Sequence, residues 1–167
     1  MAKTLASRSA QLPLVAEFVI NFNEWVIDSV SGVKKTFGST VANSTDPTES
    51  GLTAGTGVVF DAIPMPVGAV ICGGEVIVEN AFVGIGAGAT LDIGIEGATS
   101  GLLSAYDLDA AAANARTALL LTTALACNNG KNIRITTAGL TATATAGKVR
   151  VRVMYTIDGR ANENTIT

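Results

Sequence analysis

Histidine is absent from this chain of 167 residues. Its absence removes the side chain that most often serves as a general base and as a metal ligand. The two cysteines, Cys72 and Cys127, lack the close spacing of a zinc site and are too few for a disulfide framework. Both lie among apolar residues, which predicts buried free thiols. We therefore expect no enzyme activity, no metal and no cofactor.

Charged residues are also scarce, at 15% of the chain against a usual fraction of about 25%. Aromatic residues make up only 5%. The polar surface must then come mainly from Thr, Ser, Asn and Gly, which suits packing against other subunits. A small, weakly charged globular domain is the alternative interpretation.

The net charge of −3 is unevenly distributed. Residues 1–115 carry four Lys/Arg and twelve Asp/Glu (−8), whereas residues 116–167 carry seven Lys/Arg and two Asp/Glu (+5). The chain as a whole is too acidic for a strong nucleic-acid binder. The asymmetry either lets a basic face of one subunit meet an acidic face of another, or reflects two halves whose charges interleave within one fold.

Long apolar runs are missing too. No stretch reaches the length of a membrane helix, and the first residues lack the apolar core of a signal peptide. We expect a protein that is made and folded in a cytoplasm, without a membrane partner.

Several local patterns resemble functional motifs without meeting their requirements. The glycines of residues 84–88 look like part of a dinucleotide-binding loop, but the pattern opens a strand and not a helix. The pairs Glu75 and Glu79, and Asp92 and Glu96, each share a strand face. Residues four apart on a strand are separated by about 13 Å, too far for acid–base chemistry or calcium binding. A solvated face is the better interpretation of both pairs.

What the chain does contain is strand patterning. Residues 16–37 alternate with a period of two, with a turn expected at Ser31 and Gly32. Residues 90–96 place Leu and Ile on one face and acidic residues on the other. Residues 132–136 alternate in the same way. Residues 149–157 alternate over nine positions, and a strand of that length should lie in the middle of a sheet.

The stretch Val58–Val78 combines strands with strand-breaking residues. The prolines at positions 64 and 66 cannot donate backbone hydrogen bonds, so an edge or a corner is expected there. Gly73 and Gly74 predict a tight turn or a bulge. Residues 102–126 are ambiguous: we favour a helical turn near 107–113 and a strand near 117–123, with one long helix as the alternative.

The pattern as a whole predicts an all-β protein, a jelly-roll-like antiparallel β-sandwich with an extended N-terminal arm. The arm covers residues 1–15, one sandwich domain covers 16–160, and a C-terminal tail covers 161–167. Residues 38–57 are rich in Gly, Ser, Thr and Asn and predict a long loop.

The runs PMPVGAVICGGEVIVENAFVG, ATLDIGIEG and GKVRVRVMYTIDG together resemble the small decoration, or cement, proteins of tailed-bacteriophage capsids. The resemblance covers roughly residues 58–158. It implies a jelly-roll sandwich that assembles as a homotrimer on the outside of an icosahedral shell, where major capsid protein subunits meet. It carries over no catalytic residues.

A structural virion protein is therefore the first functional hypothesis. Its candidate interface residues are of two kinds: apolar residues for docking of the arm, and two arginines for polar contacts. They are Leu12, Pro13, Leu14 and Phe18, with Arg150 and Arg152. The alternative hypothesis is a receptor- or carbohydrate-binding jelly-roll domain of a phage fibre or spike. Few aromatic residues are available for such a sugar platform, chiefly Trp25, Tyr106 and Tyr155.

Overall fold

The structure is a computed structural model that describes residues 12–32, 34–38, 58–120, 126–127 and 131–157. These residues form eleven β-strands and no helix. The strands are β1 (Leu14–Asn21), β2 (Trp25–Ile27), β3 (Lys34–Thr36), β4 (Val59–Ile63), β5 (Ala69–Val83), β6 (Thr90–Ile95), β7 (Ala98–Asp107), β8 (Ala115–Ala118), β9 (Ala126–Cys127), β10 (Ile133–Ala138) and β11 (Ala146–Ile157).

Two antiparallel sheets make up the sandwich. The five-stranded sheet has the order β1-β11-β5-β8, with β9 also paired to β5. The four-stranded sheet has the order β4-β10-β6-β7. A short hairpin of β2 and β3 forms a third, two-stranded sheet. The predicted all-β class and sandwich arrangement are confirmed. Among the described residues, no helix is long and apolar enough to cross a membrane.

The period-two pattern explains which strand faces are buried. In β11 the side chains of Val149, Val151 and Val153 are fully buried, while Arg150 and Arg152 point to the opposite face. The strand lies between β1 and β5, as its length predicted. In β6 and β10, the isoleucines and leucine of the alternating pattern are likewise turned inward.

One hydrophobic cluster joins the two sheets. It takes buried side chains from both sheets and from the connections between them. Within it, the ring centroids of Phe37 and Phe60 lie 6.0 Å apart, as do those of Phe37 and Phe82. Phe18 of β1 packs against Phe60 of β4 at 5.7 Å. Edge-to-face and tilted ring contacts of this kind favour one packing arrangement of the two sheets over others.

The stretch around residues 64–74 turns a corner between the sheets and then forms a bulge. Pro64 to Pro66 link β4 of one sheet to β5 of the other, with Met65 buried between them. Opposite Gly73, the pairing of β5 with β11 shifts by one residue, so no tight turn interrupts the strand. The bulge changes the inward-facing positions from odd numbers, as at Ile71, to even numbers, as at Val76.

The expected burial of Cys72 and the expected helical turn near 107–113 are wrong. The strand expected near 117–123 is confirmed in part by β8, Ala115–Ala118, and residues 121–125 lie outside the described residues. Cys72 is exposed, because it follows the inward-facing Ile71 on the same extended strand. Asp107 ends β7, residues 108–113 form bends and the start of a turn without a helix, and β8 follows at residue 115. Cys72 is exposed although its neighbours in sequence are apolar. Residues 115–118 pair with β5 as a strand, although Ala and Arg favour helices.

The structure describes only part of the predicted arm and of the long loop, and none of the predicted C-terminal tail. The first strand begins at Leu14, two residues before the expected start of the sandwich. Residues 1–11 of the arm, 39–57 of the long loop and the tail at 161–167 lie outside the described residues.

Candidate functional site

The outer face of the five-stranded sheet carries a ladder of ion pairs. Strand β11, rich in basic residues, lies between β1 and β5, which bring carboxylates to both of its sides. The Nε of Arg152 is 2.6 Å from an oxygen of Glu17. Arg150 pairs with both Glu17 and Glu79. The members of this ion-pair ladder are Glu17, Glu75, Glu79, Arg116, Lys148, Arg150 and Arg152.

Hydrogen bonds within the ladder shift the pKa of three of its members, Glu17, Glu79 and Arg152. The hydrogen bond from Arg152 is the main cause that lowers the pKa of Glu17. Hydrogen bonds from Lys148 and then Arg150 lower the pKa of Glu79. The pKa of Arg152 is raised, chiefly by its bond to Glu17. Four cations and three carboxylates leave the ladder with a net charge of +1.

This arrangement accounts for the uneven charge along the sequence. Basic residues of the C-terminal part pair with acidic residues of the N-terminal part, both in the ladder and at Arg134, whose Nε lies 2.8 Å from Asp61. The charges of the two halves therefore interleave within one fold. Of the two interpretations of the asymmetry, the structure favours this one.

An apolar patch lies beside one end of the ladder, at the start of β1. Leu12, Leu14, Val15 and Met154 are 85%, 41%, 62% and 38% exposed. Val15 is paired directly with Met154 on the outer face of the sheet, and Leu12 and Leu14 precede Val15 in the chain, with the Leu14 side chain on the opposite face. We call this patch the apolar end. Val15 and Met154 also line a groove of about 590 Å³ that continues onto the ladder residues Glu75, Arg116 and Arg152.

The structure separates the six predicted interface residues into three groups. Leu12, Pro13 and Leu14 are exposed, and they lie at or beside the apolar end. Phe18 is on the inner face of β1, partly buried against the core. Arg150 and Arg152 are committed to carboxylates of their own chain. Sequence reasoning did not single out Val15 and Met154, although their alternation with buried neighbours on two strands was visible.

A second groove, of about 610 Å³, lies between β1, the β2–β3 hairpin and β4. Phe18, Ile20 and Phe60 form its apolar floor, and Trp25 and Ile27 of the hairpin form one wall. Trp25 is 40% and Ile27 is 66% exposed. The ammonium group of Lys34 lies 5.0 Å from the centre of the Trp25 ring, in a cation–π contact. We call this space the hairpin groove.

A buried ion pair fastens the hairpin to β4. The Nζ of Lys35 lies 2.8 Å from Asp28, and both side chains are almost fully buried. Asp28 also accepts hydrogen bonds from Ser31 and from the backbone amide of Val59, the latter at 3.0 Å. Burial by itself raises the pKa of Asp28, but the bonds from Lys35, Ser31 and Val59 outweigh it and lower the pKa to about 2. This carboxylate holds one wall of the hairpin groove in place.

The described residues that resembled functional motifs in the sequence do not come together in one site. In the part of the chain that the structure describes, no group of three or more His, Cys, Asp or Glu residues could hold a metal ion. The glycines at 84, 86 and 88 adopt positive φ angles in the connection between β5 and β6, with no helix after them. Asp92 accepts a hydrogen bond from the amide of Ala105, and Glu96 is exposed.

Comparison with known proteins gives a structural likeness. No family model matches the chain, and no curated protein sequence does either. A solved structure described as "Cyanophage Pam1 capsid asymmetric unit" contains a similar chain, with a TM-score of 0.56 and 18% sequence identity. The match covers 93% of this chain and 98% of that chain, so each spans nearly the whole of the other. At this identity the likeness shows that the two chains share a fold.

Proposed function

We propose that the protein is a structural virion protein, without enzyme activity, that decorates the outside of a bacteriophage capsid and bridges major capsid protein subunits. The observation that carries the proposal is the end-to-end likeness to a chain of a cyanophage capsid. It agrees with the independent resemblance of three sequence runs to capsid decoration proteins. The protein would assemble in the host cytoplasm and reside on the virion.

The apolar end is the surface that would contact the shell. Val15 and Met154 form an exposed apolar pair on the outer face of the sheet, and Leu12 and Leu14 are exposed just before Val15 in the chain. Exposed apolar side chains grouped in this way are typical of an interaction site. The ion-pair ladder continues from it and supplies a polar rim. An apolar centre with a polar rim is the usual layout of a protein–protein interface.

Arg150 and Arg152 would lie in that rim with their positive charges balanced by carboxylates of the same chain. Because each already contacts carboxylates on neighbouring strands, neither offers an unpaired charge to a partner. Arg116 is better placed for a direct contact, since its side chain is 60% exposed. The rim would therefore contribute orientation and exclusion of water more than attraction.

Assembly as a homotrimer would strengthen a weak contact of this kind. Three linked copies of the apolar end bind a symmetric shell with an effective concentration that a single copy lacks. We also propose that the sandwich has a jelly-roll topology and that three copies form the assembly.

Co-sedimentation with shells tests the proposal. Purified protein is mixed with empty shells of the virus that encodes it, after its mass has been measured by light scattering. We expect a trimer that sediments with shells at a fixed stoichiometry. Val15→Lys, which places a charge in the apolar end, should weaken binding about tenfold or more. Wild-type protein that stays in the supernatant would overturn the proposal.

Val83→Lys is the matched control for this test. Val83 is also a valine on a strand, 52% exposed, but it pairs with Ala146 at the opposite end of the sheet. We expect this variant to bind shells as the wild type does. Equal losses for the two variants would mean that the apolar end is not the contact surface.

A second candidate function is carbohydrate binding by a fibre or spike domain. It is favoured by Trp25, whose ring is partly exposed at the wall of the hairpin groove. Exposed aromatic rings provide platforms for sugars. A shift of Trp25 fluorescence on adding glycans, together with signals on a glycan array, would support this function, and an unchanged spectrum would reject it.

A further inference from the structure

In the part of the chain that the structure describes, the outer edge of β1 between Val15 and Val19 has no paired strand. Strand β1 is at the end of its sheet, and no described strand pairs with its second side. The backbone of Asn21 faces away from β11, because its amide donates to the carboxylate of Glu24 at 2.8 Å and its carbonyl accepts from the amide of Glu24. In an antiparallel pair, alternate residues direct their backbone groups to the same side. Val15, Glu17 and Val19 therefore present theirs to the open edge.

This edge lacks the features that normally protect a sheet. Proteins shorten edge strands, or place bulges, prolines and outward charges on them. The pairing of β1 with β11 runs through eight residues without a shift, and no proline lies within the strand. Its one charged side chain, Glu17, is held over β11 by two arginines.

The other edge strands, β8, β7 and β4, carry protective features. Strand β8 has four residues, and β7 contains pairing shifts together with Ala105 at a positive φ. In β4, both backbone groups of Val59 are bonded to the hairpin, to Asp28 and Ser29. Among the described strands, β1 is the edge that remains ready for pairing.

The hairpin groove adjoins the same edge. Its lining includes Phe18, Val19 and Ile20 of β1 as well as Trp25 and Ile27 of the hairpin. An extended segment bonded to the edge would run into this groove and place side chains against its apolar floor. Backbone bonds and an adjacent side-chain pocket are the two components of strand-addition sites.

We propose that the edge of β1 and the hairpin groove bind residues 1–11 of a second copy of this chain. Eleven residues precede Leu12, and fully extended they reach about 36 Å, whereas the open edge of five residues spans about 17 Å. The segment contains no Gly or Pro, and it carries Lys3 and Arg8 without an acidic residue. Glu24, an exposed carboxylate, lies at the groove end of the edge.

The chain's own segment is poorly placed to fill its own edge. The shortest reversal would be a two-residue turn at Leu12 and Pro13, immediately before β1 begins. Tight hairpin turns need residues such as Asn-Gly that accept positive φ, and proline is restricted to negative φ. A second copy is therefore the occupant.

Two full-length variants test the pairing without any shell present. Val19→Pro removes an amide that faces the open edge, while the bonds between β1 and β11 stay intact. Ala6→Pro prevents the segment from pairing as a strand. We expect each variant to self-associate about tenfold more weakly than the wild type in light scattering. The control variants Val19→Thr and Ala6→Ser keep the backbone amides and should retain the wild-type mass.

Mixing the two proline variants gives the decisive measurement. The first variant still supplies an intact segment and the second an intact edge, so the mixture should form a two-copy species that neither forms alone. A mixture that remains monomeric, or a wild type that is monomeric at all concentrations, would overturn the inference. If Val19→Pro does not fold by circular dichroism, a synthetic peptide of residues 1–11 replaces it. That peptide should lower the wild-type mass, and a scrambled peptide should not.

Discussion

A side chain at position 74 has no room in the five-stranded sheet. Gly74 has a φ of +151°, and a Cβ there would lie 2.6 Å from the Cδ1 of Leu119 and closer still to the carbonyl oxygen of Arg152. Both neighbours belong to packed parts of the fold. The glycine is what allows the bulge in β5 while β11 stays paired.

Gly74→Ala should therefore destabilise the protein by about 2 kcal/mol or more. Gly73→Ala is the matched control, because a Cβ at that position first meets the flexible end of Met154 at 3.4 Å. Chemical denaturation of both variants measures the difference. Equal free energies of unfolding for the two variants would show that the bulge accommodates a side chain at position 74 without loss of stability.

Asp28 is the second residue on which local structure depends. Asp28→Asn would leave the ammonium group of Lys35 buried without a charged partner, and we expect a loss of about 3 to 5 kcal/mol. The double variant Asp28→Asn/Lys35→Met removes both charges and should recover part of that loss. Urea denaturation of the wild type, Asp28→Asn and the double variant measures their order of stability. A double variant less stable than Asp28→Asn would contradict this prediction.

The same residue makes stability depend on acid pH. The pKa of Asp28 is lowered from 3.8 to about 2, so its contribution is complete above about pH 4 and is lost as the pH falls towards 2. The loss amounts to about 2 kcal/mol. Unfolding measured from pH 7 to pH 2 should show a steeper decline for the wild type than for the double variant. Parallel curves would assign the acid sensitivity to other carboxylates.

At the scale of elements, β11 organises the larger sheet. It pairs along its length with β1 on one side and β5 on the other. Its inward valines contribute to the core, and its outward arginines join the two acidic strands. One strand thus contributes both to the core and to the surface rim of the proposed interface.

A double-mutant cycle on Glu17 and Arg150 tests the ladder. We expect Glu17→Gln and Arg150→Met to be coupled, with a coupling energy that falls as salt rises. The cycle on Glu75 and Arg116 is the comparison. It should show weaker coupling, because the Arg116 side chain is 60% exposed against 26% for Arg150. Equal coupling in the two cycles would mean that burial adds nothing to the central pairs.

At the scale of the whole molecule, the two sheets share one core. Buried residues from both belong to a single cluster. The hairpin that carries Trp25 is fastened to the smaller sheet by Asp28. Separate unfolding of one sheet would expose cluster residues of both sheets to water, which makes a partly folded state unfavourable.

Unfolding should consequently occur in one transition. Far-UV circular dichroism, which reports on the strands, and Trp25 fluorescence, which reports on the hairpin, should give the same midpoint in guanidinium at a fixed protein concentration. An earlier midpoint for fluorescence would show that the hairpin unfolds independently. In Asp28→Asn, that separation is the expected result.

The sequence alone determined the class of the fold and the orientation of its strongest strands. Alternation in residues 90–96, 132–136 and 149–157 depends only on the two-residue repeat of an extended chain, so it could be interpreted without knowing any neighbour. It placed Ile133 and Ile135 inward and Arg134 outward, and the structure agrees. The corner at Pro64–Pro66 followed from the missing amide of proline in the same local way.

The tertiary structure alone decided which side chains meet. Arg150 and Glu17 are 133 residues apart in sequence, and their pairing exists because β11 lies beside β1. Phe18 was predicted at an interface but packs inward, because β1 places it opposite Phe60. The apolar end, the open edge of β1 and the hairpin groove arise in the same way. Each depends on the order of strands in a sheet, which a repeat along one chain segment does not encode.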